Sequence, residues 1–171
     1  MQPITIYTAH CRGNKYNTRY PTRRIVTSAE ELRDAMRYDQ VFAEYNGSHR
    51  SIDDFISSDC LPFDCDNGHS DIEEDWKTGK DIEKAFPGVP FWLIYSKSNM
   101  KQKGAYGPRP RFHVIFPVGQ IIDAEEYRKL KDDVIAYFPY FDFGAKDAAR
   151  FFYGVEDPVI ELHGGESDGS E

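Results

Sequence analysis

Residues 90–118 read PFWLIYSKSNMKQKGAYGPRPRFHVIFPV. Two runs of aromatic and β-branched residues, PFWLIYS (90–96) and RFHVIFPV (111–118), flank a stretch rich in Lys, Gly and Pro. Runs of that length and composition read as strands. The connection is too short and too Gly/Pro-rich for a helical crossover, so the strands are expected to pair antiparallel across a long basic loop, SKSNMKQKGAYGPRP. Helices surround them, so the expected class is α+β, with helices packed on a mostly antiparallel sheet.

Working outward, DAEEYRKLKDDVIAYFP (123–139) is the clearest helix. Asp123 and Glu126 cap it, and Tyr127, Leu130, Val134 and Phe138 make one apolar stripe. SAEELRDAMRYD (28–39) is a second helix, with Ser28 and Glu31 as a capping box. TIYTA (5–9), QVFAEYN (40–46) and CLPFDCD (60–66) read as strands, and AARFFYG and PVIELH as extended segments. SIDDFISSD (51–59) reads as a short helical turn. Residues 69–87 read as helical turns interrupted at Gly79 and stopped at Pro87. The loop through Pro21 is polar and basic, and no internal repeat is present.

The length, 171 residues, fits one compact domain able to bury a core without staples. The N-terminus lacks a secretory apolar region, and no run is long enough to span a membrane. Three cysteines cannot all pair within the chain, so a reduced cytoplasmic setting is expected. Residues 164–171 read as a flexible acidic tail. The net charge of −8 argues against a protein that simply coats nucleic acid. That average hides a segregation. Residues 1–29 carry five bases and no acid, and residues 84–122 six bases and no acid. Such clustering can build a local positive channel on an acidic body.

In the strand at 61–66, Leu61, Phe63 and Cys65 point into the core, and Asp64 and Asp66 point together to the other side. Two carboxylates so placed can share divalent cations, and hard oxygen ligands suit Mg²⁺ or Mn²⁺. A lone D-x-D also occurs as a solvent-facing loop pair. In RFHVIF, Phe112, Val114 and Phe116 face the core while Arg111, His113 and Ile115 face away. His113 beside a basic loop suits an anionic phosphate, with Arg111 as a bidentate partner. In FDFGAKDAARFFYG (141–154), Asp142 and Asp147 each offer a third carboxylate, and Arg150 a cation. Lys97, Lys101 and Lys103 suit a triphosphate or a template backbone, and Tyr106 suits base stacking. Together these are the parts of a two-metal nucleotidyltransferase.

The ordered trio LPFDCDN, RPRFHVIFP and FDFGAKDAARFFYG, with YSKSNMK ahead of the second, resembles the catalytic domain of the archaeo-eukaryotic primase superfamily. The likeness is to the primase-polymerase branch of phages, plasmids and integrated elements, over roughly residues 40–160. It implies an RRM-like antiparallel sheet with flanking helices beside a small N-terminal α/β module. The module would span about 1–58 and the catalytic part about 59–163. It implies template-dependent DNA primase or polymerase activity on nucleoside triphosphates, with single-stranded DNA as template and Mg²⁺ or Mn²⁺ as cofactor. The metal acids fall on Asp64 and Asp66 and the third on Asp142, with Asp147 as rival; the phosphate-binding histidine falls on His113. A small hydroxyl residue is frequent in the family where Arg111 stands. Relatives continue into a helicase or a C-terminal helical domain, so this chain reads as an excised domain.

Three other readings stay open. One is a metal-dependent single-strand nuclease or nickase, although only His113 sits in the strand. Another is a non-catalytic RRM-like nucleic-acid-binding module. Cys11, Cys60, Cys65 and His69 also invite a zinc reading, although their spacing matches no common ligand pattern.

Overall fold

The computed structural model describes residues 1–164, apart from the side chains of residues 145 and 146. The expected acidic tail lies outside the described residues beyond position 164. The described residues form two antiparallel sheets and three α-helices. The smaller sheet has β1 (Ile4–Thr8) at its centre, between β2 (Thr22–Val26) and β3 (Gln40–Val41). The larger sheet has five strands: β4 (Glu44–Tyr45), β5 (Phe55–Cys65), β6 (Phe91–Tyr95), β7 (Phe112–Ile121) and β8 (Ile160–His163). Their spatial order is β4–β5–β7–β6–β8, and every pairing is antiparallel. The expected hairpin is present: β6 and β7 pair with Trp92 opposite Ile115 and Ile94 opposite His113.

The large sheet is buried on both faces. On one, Leu61, Phe63, Phe91, Leu93, Val114 and Phe116 pack against α2 (Gly79–Ala85) and α3 (Ala124–Tyr137). On the other, Cys60, Trp92, Ile94 and Ile115 pack against the small sheet and α1 (Ala29–Ala35) through Ile4, Ile6, Leu32 and Phe42. Burial on both sides is why the central strands read as continuous apolar runs rather than alternating ones. The capping box at α1 and the Asp123 cap at α3 form as expected. Lys131 lies on the buried side of α3, where its ammonium sits 5.0 Å from the Phe63 ring centroid.

Several expectations need correction. Residues 55–59 are not a helical turn but the first half of β5. Their polar side chains are satisfied across the interface: Asp59 accepts from the Thr5 amide at 2.9 Å and its hydroxyl at 2.7 Å, and Ser58 donates to the Phe42 carbonyl. Residues 40–46 are not one strand. The chain leaves the small sheet after Val41 and enters the large one at Glu44. TRRIV, directly after the polar loop through Pro21 and assigned no element from the sequence, is a full edge strand. Gly79 does not break a helix but begins α2, directly after the Thr78 cap. Cys60 and Cys65 face opposite sides of the sheet and cannot share an ion, and no three His, Cys, Asp or Glu side chains among the described residues are grouped for one, which counts against the zinc reading.

Candidate active site

The site forms where β5 and β7 run side by side. Their register sets Asp64 directly opposite His113. Both side chains leave the sheet on the face that the small sheet covers, so neither is solvent-facing: Asp64 is 7% and His113 8% exposed. The expected acid-bearing face is therefore correct in direction but covered here by Phe152 and Arg150, with Lys15 of the N-terminal loop on the same cavity wall. Asp66 follows the strand end.

The segment after α3 closes the site from the side. The Asp142 amide donates to the Asp64 carbonyl at 2.7 Å, which fixes that segment to the end of β5. Phe152 stacks on the His113 ring, with centroids 4.1 Å apart and planes 18° from parallel. The Arg150 guanidinium comes to 4.0 Å from Asp64 Oδ2. From the hairpin loop, the Lys103 ammonium pairs with the Asp66 carboxylate. These groups enclose a cavity of about 410 Å³, whose wall also includes Lys97 and Lys15. Four cationic side chains and an imidazole thus face two carboxylates.

Burial dominates the electrostatics. It pushes the Asp64 carboxyl up to about 7, and the neighbouring Asp66 charge adds to the rise, while Lys103 and Arg150 oppose it. Burial likewise holds the His113 imidazole down at about 4. The two side chains approach to 3.5 Å, yet they are not an ion pair near neutral pH, because His113 is then uncharged. Asp64 Oδ1 is buried without a hydrogen-bond partner among the described residues. An under-satisfied carboxylate next to a second one already drawing an ammonium is the environment a hard cation relieves. Asp64 and Asp66 therefore fit a divalent cation. Among the described residues no cluster of three His, Cys, Asp or Glu side chains is set for a metal. Asp142 lies beside the pair through its backbone, but its carboxylate accepts from the Gly144 amide at 2.9 Å and caps the turn at Phe143–Lys146.

The structure brings together Asp64, Asp66, His113, Arg150, Lys97 and Lys103. It separates three of the expected residues. Asp147 lines a different cavity, beside Phe143 and Arg128. Lys101 lines another, with Arg12 and Glu156. Arg111 is 1% exposed, and its guanidinium donates to the carbonyls of Ser98 at 2.9 Å, Lys101 at 2.6 Å and Gly107 at 3.2 Å. It braces the basic loop from beneath and does not line the cavity of His113. Arg109 does the same for the turn after β5, through the carbonyls of Asn67 and Ser70.

Sequence reasoning missed Lys15, Phe152 and Asp39. Asp39 is fully buried and accepts from the amides of Gly13 at 2.7 Å, Asn14 at 2.8 Å and Gly154 at 2.8 Å. One carboxylate so ties the loop bearing Lys15 to the segment bearing Arg150. A reciprocal backbone bridge between Gln40 and Phe152, at 3.0 and 2.9 Å, completes the junction. The acid-free run at residues 1–29 was the available signal for Lys15. Gly154 passes so close to the turn after α1 that a Cβ would lie 2.6 Å from the Tyr38 carbonyl carbon. Gly154→Ala is therefore expected to lower stability by about 1–3 kcal/mol, measured by urea denaturation.

No family model and no curated protein matches the sequence. Among solved structures, the chain is similar to the AEP domain of a primase-polymerase from cyanophage S-2L. The TM-score is 0.51 at 15% identity, over 93% of this chain and 80% of that one. The likeness is one of fold: an archaeo-eukaryotic-primase-like arrangement of two antiparallel sheets and flanking helices.

Proposed function

We propose that the chain is a template-dependent nucleotidyltransferase, a DNA primase, a DNA polymerase or both. The observation that carries this reading is the cavity at the β5–β7 junction, where buried Asp64 with its unsatisfied oxygen faces Lys15, Lys97, Arg150 and His113. A nucleoside triphosphate needs both features, cations for its phosphates and carboxylates for its metal ions. The similarity of fold to the cyanophage domain supports it.

In this reading Asp64 and Asp66 hold Mg²⁺ or Mn²⁺, and Asp142 is the acid placed to join them. Cations bound there would lower the pKa of an attacking 3′-hydroxyl and neutralise the departing pyrophosphate. His113, uncharged at neutral pH, donates one ring N–H to a phosphate oxygen, and Phe152 fixes its plane. Arg150 and Lys97 neutralise the remaining phosphate charge. Lys103 exchanges Asp66 for the incoming polyphosphate. The RRM-like description and the division near residue 58 belong to this proposal. So do a cytoplasmic setting, a role in replication of a phage, plasmid or integrated element, and a helicase or helical-domain partner. Among the described residues no helix is long and apolar enough to cross a membrane.

The test is one incorporation assay with a single-stranded DNA template, labelled deoxy- and ribonucleotides, and reactions with and without primer. Incorporation that requires Mg²⁺ or Mn²⁺ is expected; template cutting without incorporation overturns the proposal. His113→Ala is expected to raise the triphosphate dissociation constant about 10- to 100-fold, the loss of one hydrogen bond to a charged group. An unchanged constant, read by equilibrium binding of a fluorescent nucleotide, removes His113 from the site.

A further inference from the structure

Asp66 and Lys103 line two cavities. The first is the cationic one at His113. The second, of about 480 Å³, lies between the hairpin loop and the segment after α3, and Asp142 is on its wall. Its character differs. The lining includes three rings, from Tyr106, Tyr140 and His69. Its one arginine, Arg111, is already committed to three backbone carbonyls. Apart from Lys103, which it shares, this cavity therefore offers a polyphosphate little, and Asp66 and Asp142 would repel one.

The rings are held but not buried. The Arg109 guanidinium lies 5.2 Å from the Tyr106 centroid, and the Lys77 ammonium 4.5 Å from that of Tyr140. The His69 ring lies 4.8 Å from Tyr140. Yet Tyr106 is 49% and Tyr140 37% exposed, and neither belongs to a core cluster. Fixed, accessible aromatic faces with little free positive charge suit a nucleobase.

We propose that this second cavity binds the acceptor nucleoside, the 3′-terminal residue of the strand being extended, with its base against Tyr106 and Tyr140. The proposal rests on the nucleotidyltransferase reading. A transfer has two reactants, and the acid pair sits where they must meet. The triphosphate lies on the cationic side and the acceptor on the aromatic side. The acceptor's 3′-oxygen forms a bond to the α-phosphorus, and the bond from that phosphorus to the bridging oxygen breaks. Pyrophosphate leaves with that electron pair, and the hydroxyl proton passes to water.

The probe is a primer–template duplex carrying 2-aminopurine as the primer's 3′-terminal base, whose fluorescence falls on stacking against an aromatic ring. Wild-type protein is expected to quench it. Tyr106→Ala/Tyr140→Ala is expected to weaken binding of the probe about 10- to 100-fold, as for the loss of base–aromatic stacking. Tyr140→Phe should restore most of the binding lost in Tyr140→Ala, and fluorescent triphosphate affinity should stay unchanged throughout. Absence of quenching by the wild type, quenching unchanged in the double variant, or equal loss of triphosphate binding overturns the proposal. Incorporation by the wild type with no tyrosine dependence would sink this inference alone. Tyrosine-dependent quenching with no incorporation under any metal would sink the nucleotidyltransferase reading and leave a nucleobase site.

Discussion

Asp64→Asn is expected to lower nucleotide incorporation by at least about a thousandfold, because metal-assisted charge stabilisation contributes several kcal/mol at the transition state. The same change is expected to make the metal-free protein more stable at pH 8. The reason is linkage. The Asp64 carboxyl titrates near 7 in the folded state, against about 3.9 in an unfolded chain. The folded state therefore holds the proton more tightly. That contribution is fully present below about pH 4 and is lost as the pH rises through 7, a difference of about 2–4 kcal/mol.

His113 slopes the opposite way. Its folded value near 4 lies below the unfolded value of about 6.5, so its burial is penalised at low pH and relieved as pH rises between those values. These two contributions largely offset each other in the total stability. The difference between wild type and Asp64→Asn isolates the carboxyl, and urea denaturation from pH 4 to 8 is the measurement. A difference that does not grow with pH means that Asp64 carries its charge without strain. An active variant means that Asp64 holds no essential metal.

Asp39→Ala is expected to show the second large effect, at a residue outside the catalytic cavity. The substitution leaves the amides of Gly13, Asn14 and Gly154 without their shared acceptor, at a junction buried at Gly154 and open to water at Gly13 and Asn14. The buried Gly154 amide left unsatisfied costs about 1–3 kcal/mol, and the other two lose a charged acceptor but can turn to water, so a loss of about 2–4 kcal/mol is expected. Activity should fall further than stability alone explains if the proposed function holds, because the junction sets Lys15 and Arg150 on the wall of the cavity proposed for the phosphates. Asp39→Asn keeps one carbonyl oxygen and should lie between. Equilibrium denaturation and the triphosphate KM, measured together, check both halves. Wild-type stability in Asp39→Ala would show that the junction is held by the Gln40–Phe152 bridge alone.

The parts of the fold that local rules determine were legible. The β6–β7 hairpin followed from two apolar runs and a connection without helical capacity. The helix starts at Ser28 and Asp123 followed from capping chemistry. The direction of Asp64 and His113 followed from strand period. What the sequence concealed depends on partners distant along the chain. The first half of β5 looks polar because Ser58 and Asp59 bond to Phe42 and Thr5, which only the folded packing brings near. Arg111 read as a phosphate ligand and Arg109 as one cation of the basic stretch, but both serve as buried braces, since a loop with many unpaired carbonyls needs internal donors. Lys15 enters the cavity only because Asp39, some 25 residues away, draws the loop at Gly13 and Asn14 inward. The roof over the acid-bearing face is likewise a tertiary fact. It buries Asp64 and His113, leaving Asp66 half-buried at the strand end, and the burial shifts the titration of those two groups.

Mn²⁺ titration followed by electron paramagnetic resonance, at pH 8 with and without a non-hydrolysable nucleoside triphosphate, bears most directly on the acid pair and its cations. Wild-type protein should bind Mn²⁺, the nucleotide should tighten that binding, and Asp64→Asn should lose it while remaining folded. Equal Mn²⁺ binding by the two proteins, or no binding by wild type with nucleotide present, would contradict the assignment of Asp64 and Asp66 as the metal-holding pair.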